Sequence, residues 1–222
     1  LGRGVTLRFD DQGRLTRYTN PLGGSYQYAY DTHGNLASIL DPSGRFVQTT
    51  YDSTTNLVTQ VKDGRNNSTQ FTYDAEGNLS RITYPNGTHE DFVSNGSGER
   101  TSQTNRRGQV LNYTYNNDGR VASMTFADSS VATFSYDSRG NLVSMQDSTG
   151  TTSYQYDSAD RIIYIGYPDS RHLSITRNAA GQRTQTTDET GYVQTYAYSS
   201  LGLLLSISDN THGTLVSYQY DA

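Results

Sequence analysis

The chain has no cysteine and no tryptophan among its 222 residues. Without cysteine, disulfides and thiol chemistry are excluded, and a structural zinc site loses its usual ligands. Lysine occurs once, at Lys62. The remaining basic residues are arginines scattered along the chain, so no basic stripe addresses a nucleic acid. The net charge of −5 is mild. No apolar run approaches the length of a membrane span, and no leader-like segment opens the chain at Leu1. No segment holds a 3.6-residue apolar period, which argues against helix anywhere. Hydrophobic residues make up only 32%, a low figure for a thick core.

What the chain does have is tyrosine, 19 residues of it, with abundant Ser and Thr. Aromatic and β-branched residues suit a pleated, half-buried surface. They also recur in register. Aligned copies of one tract begin at Phe9, Tyr30, Tyr51, Tyr73, Ser94, Tyr115, Tyr136, Tyr156, Arg177, Tyr198 and Tyr220. Successive starts are 20 to 22 residues apart: Tyr136 to Tyr156 is 20 and Tyr51 to Tyr73 is 22. Such a period marks a repeat architecture in which each unit buries its apolar face against its neighbours. The expected organisation is one continuous array over residues 1–222, of about ten repeats of ~21 residues. The chain stops at Tyr220-Asp221-Ala222, one turn into the next copy, so it reads as a fragment of a longer protein.

Each copy carries two turn signals. The first is Asp-x-x-Gly, as in Asp10 to Gly13, Asp31 to Gly34, Asp74 to Gly77 and Asp137 to Gly140, with Asn as the first residue at Asn95, Asn116 and Asn178. Asp or Asn opens a type I turn because its side chain accepts backbone hydrogen bonds, and Gly closes it where φ is positive. Thr55 and Asp160 occupy the Gly slot in two copies. The second turn is looser: Asp41-Pro42-Ser43-Gly44, Asp63-Gly64, Pro85-Asn86-Gly87, Asp147 to Gly150, Asp188 to Gly191 and Asn210 to Gly213. Stretches of strand length separate the turns, so the expected fold is all-β: tandem antiparallel hairpins forming a spiral sheet. Pairs such as Tyr28/Tyr30 and Phe134/Tyr136 put two rings on one strand face, and neighbouring repeats are expected to stack them into ladders. After the turn, Leu36 and Ile39 (or Leu142 and Met145) are three apart, which breaks alternation. Either a bulge intervenes or the Leu tucks under the turn.

The motif Tyr30-Asp31-Thr32-His33-Gly34-Asn35-Leu36, matched in full by Tyr73 to Leu79 and Tyr136 to Leu142, resembles the YD or Rhs repeat family over essentially the whole chain. That family includes bacterial Rhs polymorphic toxins, the B and C components of insecticidal toxin complexes, wall-associated proteins and animal teneurins. The resemblance implies a segment of a larger β-shell, secreted or at the cell surface, without enzymatic activity. Its implied partners are the remainder of its own shell and an enclosed C-terminal effector domain. The alternative it implies is a teneurin-like or wall-associated extracellular adhesion, carbohydrate-binding or structural module, with carbohydrate or a cell-surface protein as partner.

No catalytic, cofactor-binding or metal-binding residues are expected. His33 and His212 sit in the third position of turns. His89-Glu90-Asp91 reads as an exposed strand edge, and Asp10-Asp11 as a turn residue with its neighbour. Asp41-Pro42-Ser43-Gly44 matches four letters of the family's self-cleavage motif, yet it fills a second turn, and Arg45 follows where that motif has Leu. The Asn-x-Ser/Thr sequons at Asn66, Asn67, Asn78, Asn86, Asn95 and Asn112 arise from turns that want Asn and strands that want Thr. Tyrosine faces also stack on sugar rings, but packing of the array is their first use.

Overall fold

The computed structural model describes residues 4–221. Strands and tight turns account for almost all of them, with no helix among the described residues. Among the described residues, twenty-one strands alternate with the two kinds of turn. The chain divides into two compact units at Asn112 and Tyr113.

The first unit holds β1 (Thr6–Phe9), β2 (Leu15–Thr19), β3 (Ser25–Tyr30), β4 (Leu36–Leu40), β5 (Phe46–Tyr51), β6 (Val58–Lys62), β7 (Ser68–Tyr73), β8 (Leu79–Thr83), β9 (His89–Ser94) and β10 (Arg100–Thr104). It also includes the start of β11 (Val110–Tyr115). Each strand pairs antiparallel with the next. The second unit holds β12 (Val121–Thr125), β13 (Val131–Tyr136), β14 (Leu142–Asp147), β15 (Gly150–Tyr156), β16 (Ile162–Gly166), β17 (His172–Arg177), β18 (Arg183–Asp188), β19 (Val193–Tyr198), β20 (Leu204–Asp209) and β21 (Gly213–Ser217). The same antiparallel succession runs through it. Within each unit, strands touch the strand before and the strand after, the nearest-neighbour pattern of a repeat array.

The first turn is built as its residues dictate. In the Asp31 copy, the Gly34 amide donates to the Asp31 carbonyl at 3.1 Å and the Asp31 amide to the Asn35 carbonyl at 2.9 Å. The Asp31 carboxylate accepts from the amides of His33 and Asn35, each at 2.9 Å. Gly34 has φ +90°, a region cheap only for glycine. Asp160 takes that conformation itself, with φ +59°. Thr55 does not. The Asp52 amide reaches past it to Leu57, the loop gains a residue, and Asn56 takes the positive φ of 63°. The inserted residue accounts for the 22-residue step from Tyr51 to Tyr73.

A bulge follows the turn. Tyr30 pairs with Leu36 and Ala29 with Ser38, so Ala37 has no opposite number. The same offset recurs at Thr16, Thr59, Thr101, Val143, Ile163, Thr184 and Leu205. Where the extra residue is Thr, its hydroxyl bonds back across the hairpin: Thr16, Thr59, Thr101 and Thr184 donate to the carbonyls of Arg8, Thr50, Val93 and Thr176, each at 3.2 Å. This bulge explains the three-residue apolar spacing.

Register sorts the side chains onto two faces. One row runs Tyr28, Ile39, Val47, and another Phe134, Met145, Thr152. The opposite face carries rows such as Ala29, Ser38, Gln48, Lys62, Ser68. The apolar face is not covered by a second layer within either unit. Only Phe92, Ala132 and Tyr196 are buried hydrophobics among the described residues. Stability therefore comes from many half-buried cross-strand contacts of roughly 0.2–1 kcal/mol each, not from a central core.

Candidate functional site

The expected tyrosine ladders do not form. Each pre-turn strand faces a post-turn strand, so Tyr28 pairs with Ile39 and Phe71 with Ile82. Rings of consecutive repeats are then two strand spacings apart, about 9.6 Å, too far to stack. Among the described residues only Tyr18–Tyr26 and Tyr164–His172 form aromatic pairs.

The tyrosine of the motif does something else. Its hydroxyl reaches back to the carbonyl of the residue that precedes the bulge in the previous repeat. Tyr30 donates to Leu15 at 2.9 Å, Tyr51 to Leu36 at 3.1 Å, Tyr73 to Val58 at 2.8 Å and Tyr136 to Val121 at 2.9 Å. Tyr156, Tyr198 and Tyr220 do the same to Leu142, Arg183 and Leu204. A bulge interrupts the ladder and leaves a carbonyl without its strand partner. The tyrosine supplies that partner from the next repeat, so each hairpin is latched to the one before it. Arg177 replaces the tyrosine in one copy, and its guanidinium meets the Ile162 carbonyl at 3.3 Å and the Gly181 carbonyl at 3.0 Å. The spacing of Leu to the next Tyr, 14 to 16 residues, is visible in the sequence. What it links is not.

Ser94 is the copy that cannot reach. Its side chain is several ångströms shorter than tyrosine, and the Leu79 carbonyl lies at the equivalent place. Ser94→Tyr is expected to raise unfolding stability by about 1 kcal/mol, the worth of one hydrogen bond. A lower denaturation midpoint for the variant would show that no room exists beside Arg100, which lies over Phe92 at 4.1 Å.

The first-turn edge is stapled as well. Asn56 donates to the Asn35 side chain at 3.1 Å, Asn141 to Asp160 at 2.7 Å and Gln182 to the Gly202 carbonyl at 2.9 Å. Arg14 lies over the Tyr30 ring at 4.6 Å, a cation–π contact between neighbouring repeats.

The residues singled out for chemistry are dispersed. His33 is in a turn, donating its amide to Asp31. The cluster at His89, Glu90 and Asp91 is no sheet edge, because β9 is paired on both sides, with β8 and β10. There Asp91 binds the Arg81 guanidinium and lies 3.4 Å from His89. Asp10 caps its turn and pairs with Arg14 at 2.7 Å. The Asp41 carboxylate accepts from the Ser43 amide and hydroxyl and from the Arg45 amide, at 2.7 to 2.8 Å. Of the sequon asparagines, Asn67, Asn78, Asn86 and Asn95 are engaged within their turns. Among the described residues no three His, Asp or Glu converge as a metal-binding group. No helix among the described residues is long and apolar enough to cross a membrane.

One polar cluster escaped sequence reading. The last second-turn is organised by Asp209, not Asn210. The Asp209 carboxylate is 2% exposed. It accepts from the Thr211 and His212 amides and from the Tyr192 hydroxyl at 3.0 Å, and lies 3.1 Å from the His212 ring. The His212 amide hydrogen bond, above all, holds the acid well below the usual carboxylate range. Other turn aspartates are lowered by the same physics: Asp31 by the Asn35 side chain, Asp41 by the Ser43 hydroxyl and Asp137 by the Asn141 amide. A depressed folded-state pKa contributes stability that is present above the ordinary carboxylate pKa, about 4, and lost as pH falls through the folded values. The urea midpoint should hold steady from about pH 7 to 5 and drop below about pH 4. A midpoint unchanged down to about pH 3 would show that the caps are not ionised partners.

The teneurin YD-shell model matches residues 96–222, more than half of the chain. The chain belongs to the teneurin YD-shell family. The RHS repeat model matches residues 9–45, 30–68 and 51–89, so YD/RHS repeats run through most of the sequence. Among solved structures, the chain is similar to TcdB2-TccC3 without its hypervariable C-terminal region, with TM-score 0.54, 12% identity, 98% of this chain and 18% of that one covered. It is also similar to the Photorhabdus luminescens Tc holotoxin pore, with TM-score 0.47, 14% identity, 95% of this chain and 15% of that one covered. This YD-shell family member thus spans less than a fifth of the length of those chains. No curated protein sequence matches it.

Proposed function

We propose that this YD-shell segment is a non-catalytic stretch of wall, one continuous array within a longer protein whose shell encloses or presents an effector domain. The observation that carries this reading is the latched single layer. A sheet whose repeats touch only their neighbours, and whose apolar face has no second layer within either unit, is built to extend as a wall. Its partners are then the rest of its own shell and the enclosed effector, and its place is outside the cell or at its surface. The match to the teneurin model also supports a second reading, an extracellular adhesion or structural module.

The test uses the full parent chain. Under the container reading, the segment downstream of the repeats resists protease in the intact protein and is cut readily when expressed alone. Equal digestion in both forms would overturn it and favour the adhesion reading. The purified chain should yield no product beginning at Pro42, since Asp41 is occupied in its turn; such a product, abolished by Asp41→Ala, would refute the non-catalytic reading.

A further inference from the structure

The chain contains two Asn-Gly steps, Asn86-Gly87 and Asn95-Gly96, both in turns of the first unit. Glycine after asparagine leaves the asparagine side-chain amide open to the next backbone nitrogen, because no Cβ shields that nitrogen. The fold holds the two asparagines differently. Asn95 opens a first turn, is half-buried and is bound at both ends. Its Oδ1 accepts from the amides of Ser97 and Glu99, each at 3.0 Å, and its Nδ2 donates to the Glu99 carboxylate at 2.7 Å.

Asn86 sits in the third position of a second turn, Tyr84-Pro85-Asn86-Gly87, and both it and Gly87 are exposed. Only its side-chain carbonyl is engaged. Oδ1 accepts from the Thr88 amide at 3.2 Å and from the Thr88 hydroxyl at 2.8 Å. Among the described residues nothing holds its Nδ2. The Thr88 hydroxyl in turn accepts from Arg106 Nε at 2.8 Å, and the Arg106 guanidinium lies over the Tyr84 ring at 4.4 Å. A hydroxyl that accepts from a cation is a stronger donor to its own acceptor. The Asn86 carbonyl is therefore polarised by a relay that starts in the next repeat, while its amino group is free to leave.

We propose that Asn86-Gly87 is a self-modification site at which the folded protein deamidates, with Thr88 as the catalytic donor and Arg106 as its positioning residue. The Gly87 nitrogen leaves the Tyr84 carbonyl, which it meets at 2.9 Å, and bonds to Asn86 Cγ. Negative charge develops on Oδ1, where two donors of Thr88 already point. The Cγ–Nδ2 bond then breaks, and ammonia departs with the Gly87 amide proton, leaving a succinimide ring. Water opens the ring at either carbonyl. Opening at Cγ gives aspartate, and opening at the Asn86 backbone carbonyl gives isoaspartate. Both products add a carboxylate to a turn tip that the Arg106 relay reaches. Isoaspartate also lengthens the turn between β8 and β9 by one backbone carbon. This inference stands on the first unit alone and does not depend on the wall reading.

The test is incubation of the purified chain in mildly alkaline buffer, followed by peptide mass spectrometry and isoaspartate labelling. Asn86 should convert about tenfold faster than Asn95. Thr88→Val should slow Asn86 about tenfold. Arg106→Met should slow it about threefold, and Arg106→Lys, which keeps a charged donor, should restore the rate. In urea the relay is lost, so all these variants should convert at the wild-type rate, and a variant that merely unfolds is recognised by that rate in buffer. Asn95 converting as fast as Asn86 in the folded chain, or a folded Thr88→Val chain converting at the wild-type rate, would overturn the proposal. If Thr88→Val does not fold, the Arg106 pair decides: equal rates for Arg106→Met and wild type overturn the relay.

Discussion

Tyr136→Ala is expected to lower the unfolding free energy by about 3 kcal/mol, and Tyr136→Phe by about 1 kcal/mol. The two variants separate what the ring does from what its hydroxyl does. The ring half-covers the apolar face and has the Arg120 guanidinium 5.8 Å from its centre. The hydroxyl satisfies the Val121 carbonyl at 2.9 Å. Phenylalanine keeps the first contribution and strands the carbonyl next to the bulge, and an unpaired backbone acceptor is costly wherever water is partly excluded. Alanine removes both. Urea denaturation of the three proteins decides the matter. If phenylalanine and tyrosine unfold at the same midpoint, the latch is a geometric coincidence and the motif needs only an aromatic ring.

Gly140→Val should destabilise by roughly 1–3 kcal/mol, while Ser138→Ala, in the same turn, stays within about 0.5 kcal/mol. Gly140 has φ +91°, and its amide closes the turn on the Asp137 carbonyl at 3.0 Å. A β-branched side chain is strained there before any contact is considered. A Cβ would also run into the Arg120 guanidinium, so the arginine of the preceding repeat would have to move. Ser138 is exposed. Equal midpoints for the two variants would show that the turn does not need its glycine.

Much of this fold is legible because its signals are local. Asp31 and Gly34 specify their turn by the hydrogen bonds an Asp can accept and the φ a Gly can adopt, whatever surrounds them. Strand length follows from turn spacing, and the facing of Tyr28 and Tyr30 follows from the pleat. Contacts that depend on strand pairing or join different repeats carry no such local signal. Tyrosine ladders looked natural from Tyr-x-Tyr spacing, but an intervening strand keeps successive rings apart. His89-Glu90-Asp91 looked like an edge because a charged run says nothing about whether strands pair on both sides. Asp209 went unnoticed beside Asn210 because only the register of β20 and β21 shows which of the two caps the turn.

The all-β array of tandem hairpins and the repeat family are both readable from the residues alone. Turn chemistry and strand alternation act over a few residues, and a period in the first is a period in the structure. Only the folded hairpins show why the motif residue is tyrosine and not any aromatic, and where the bulge lies. Each of these depends on what lies on another strand, either the partner in the same hairpin or the strand of the repeat before. No local preference encodes a carbonyl left bare by a bulge in the previous repeat.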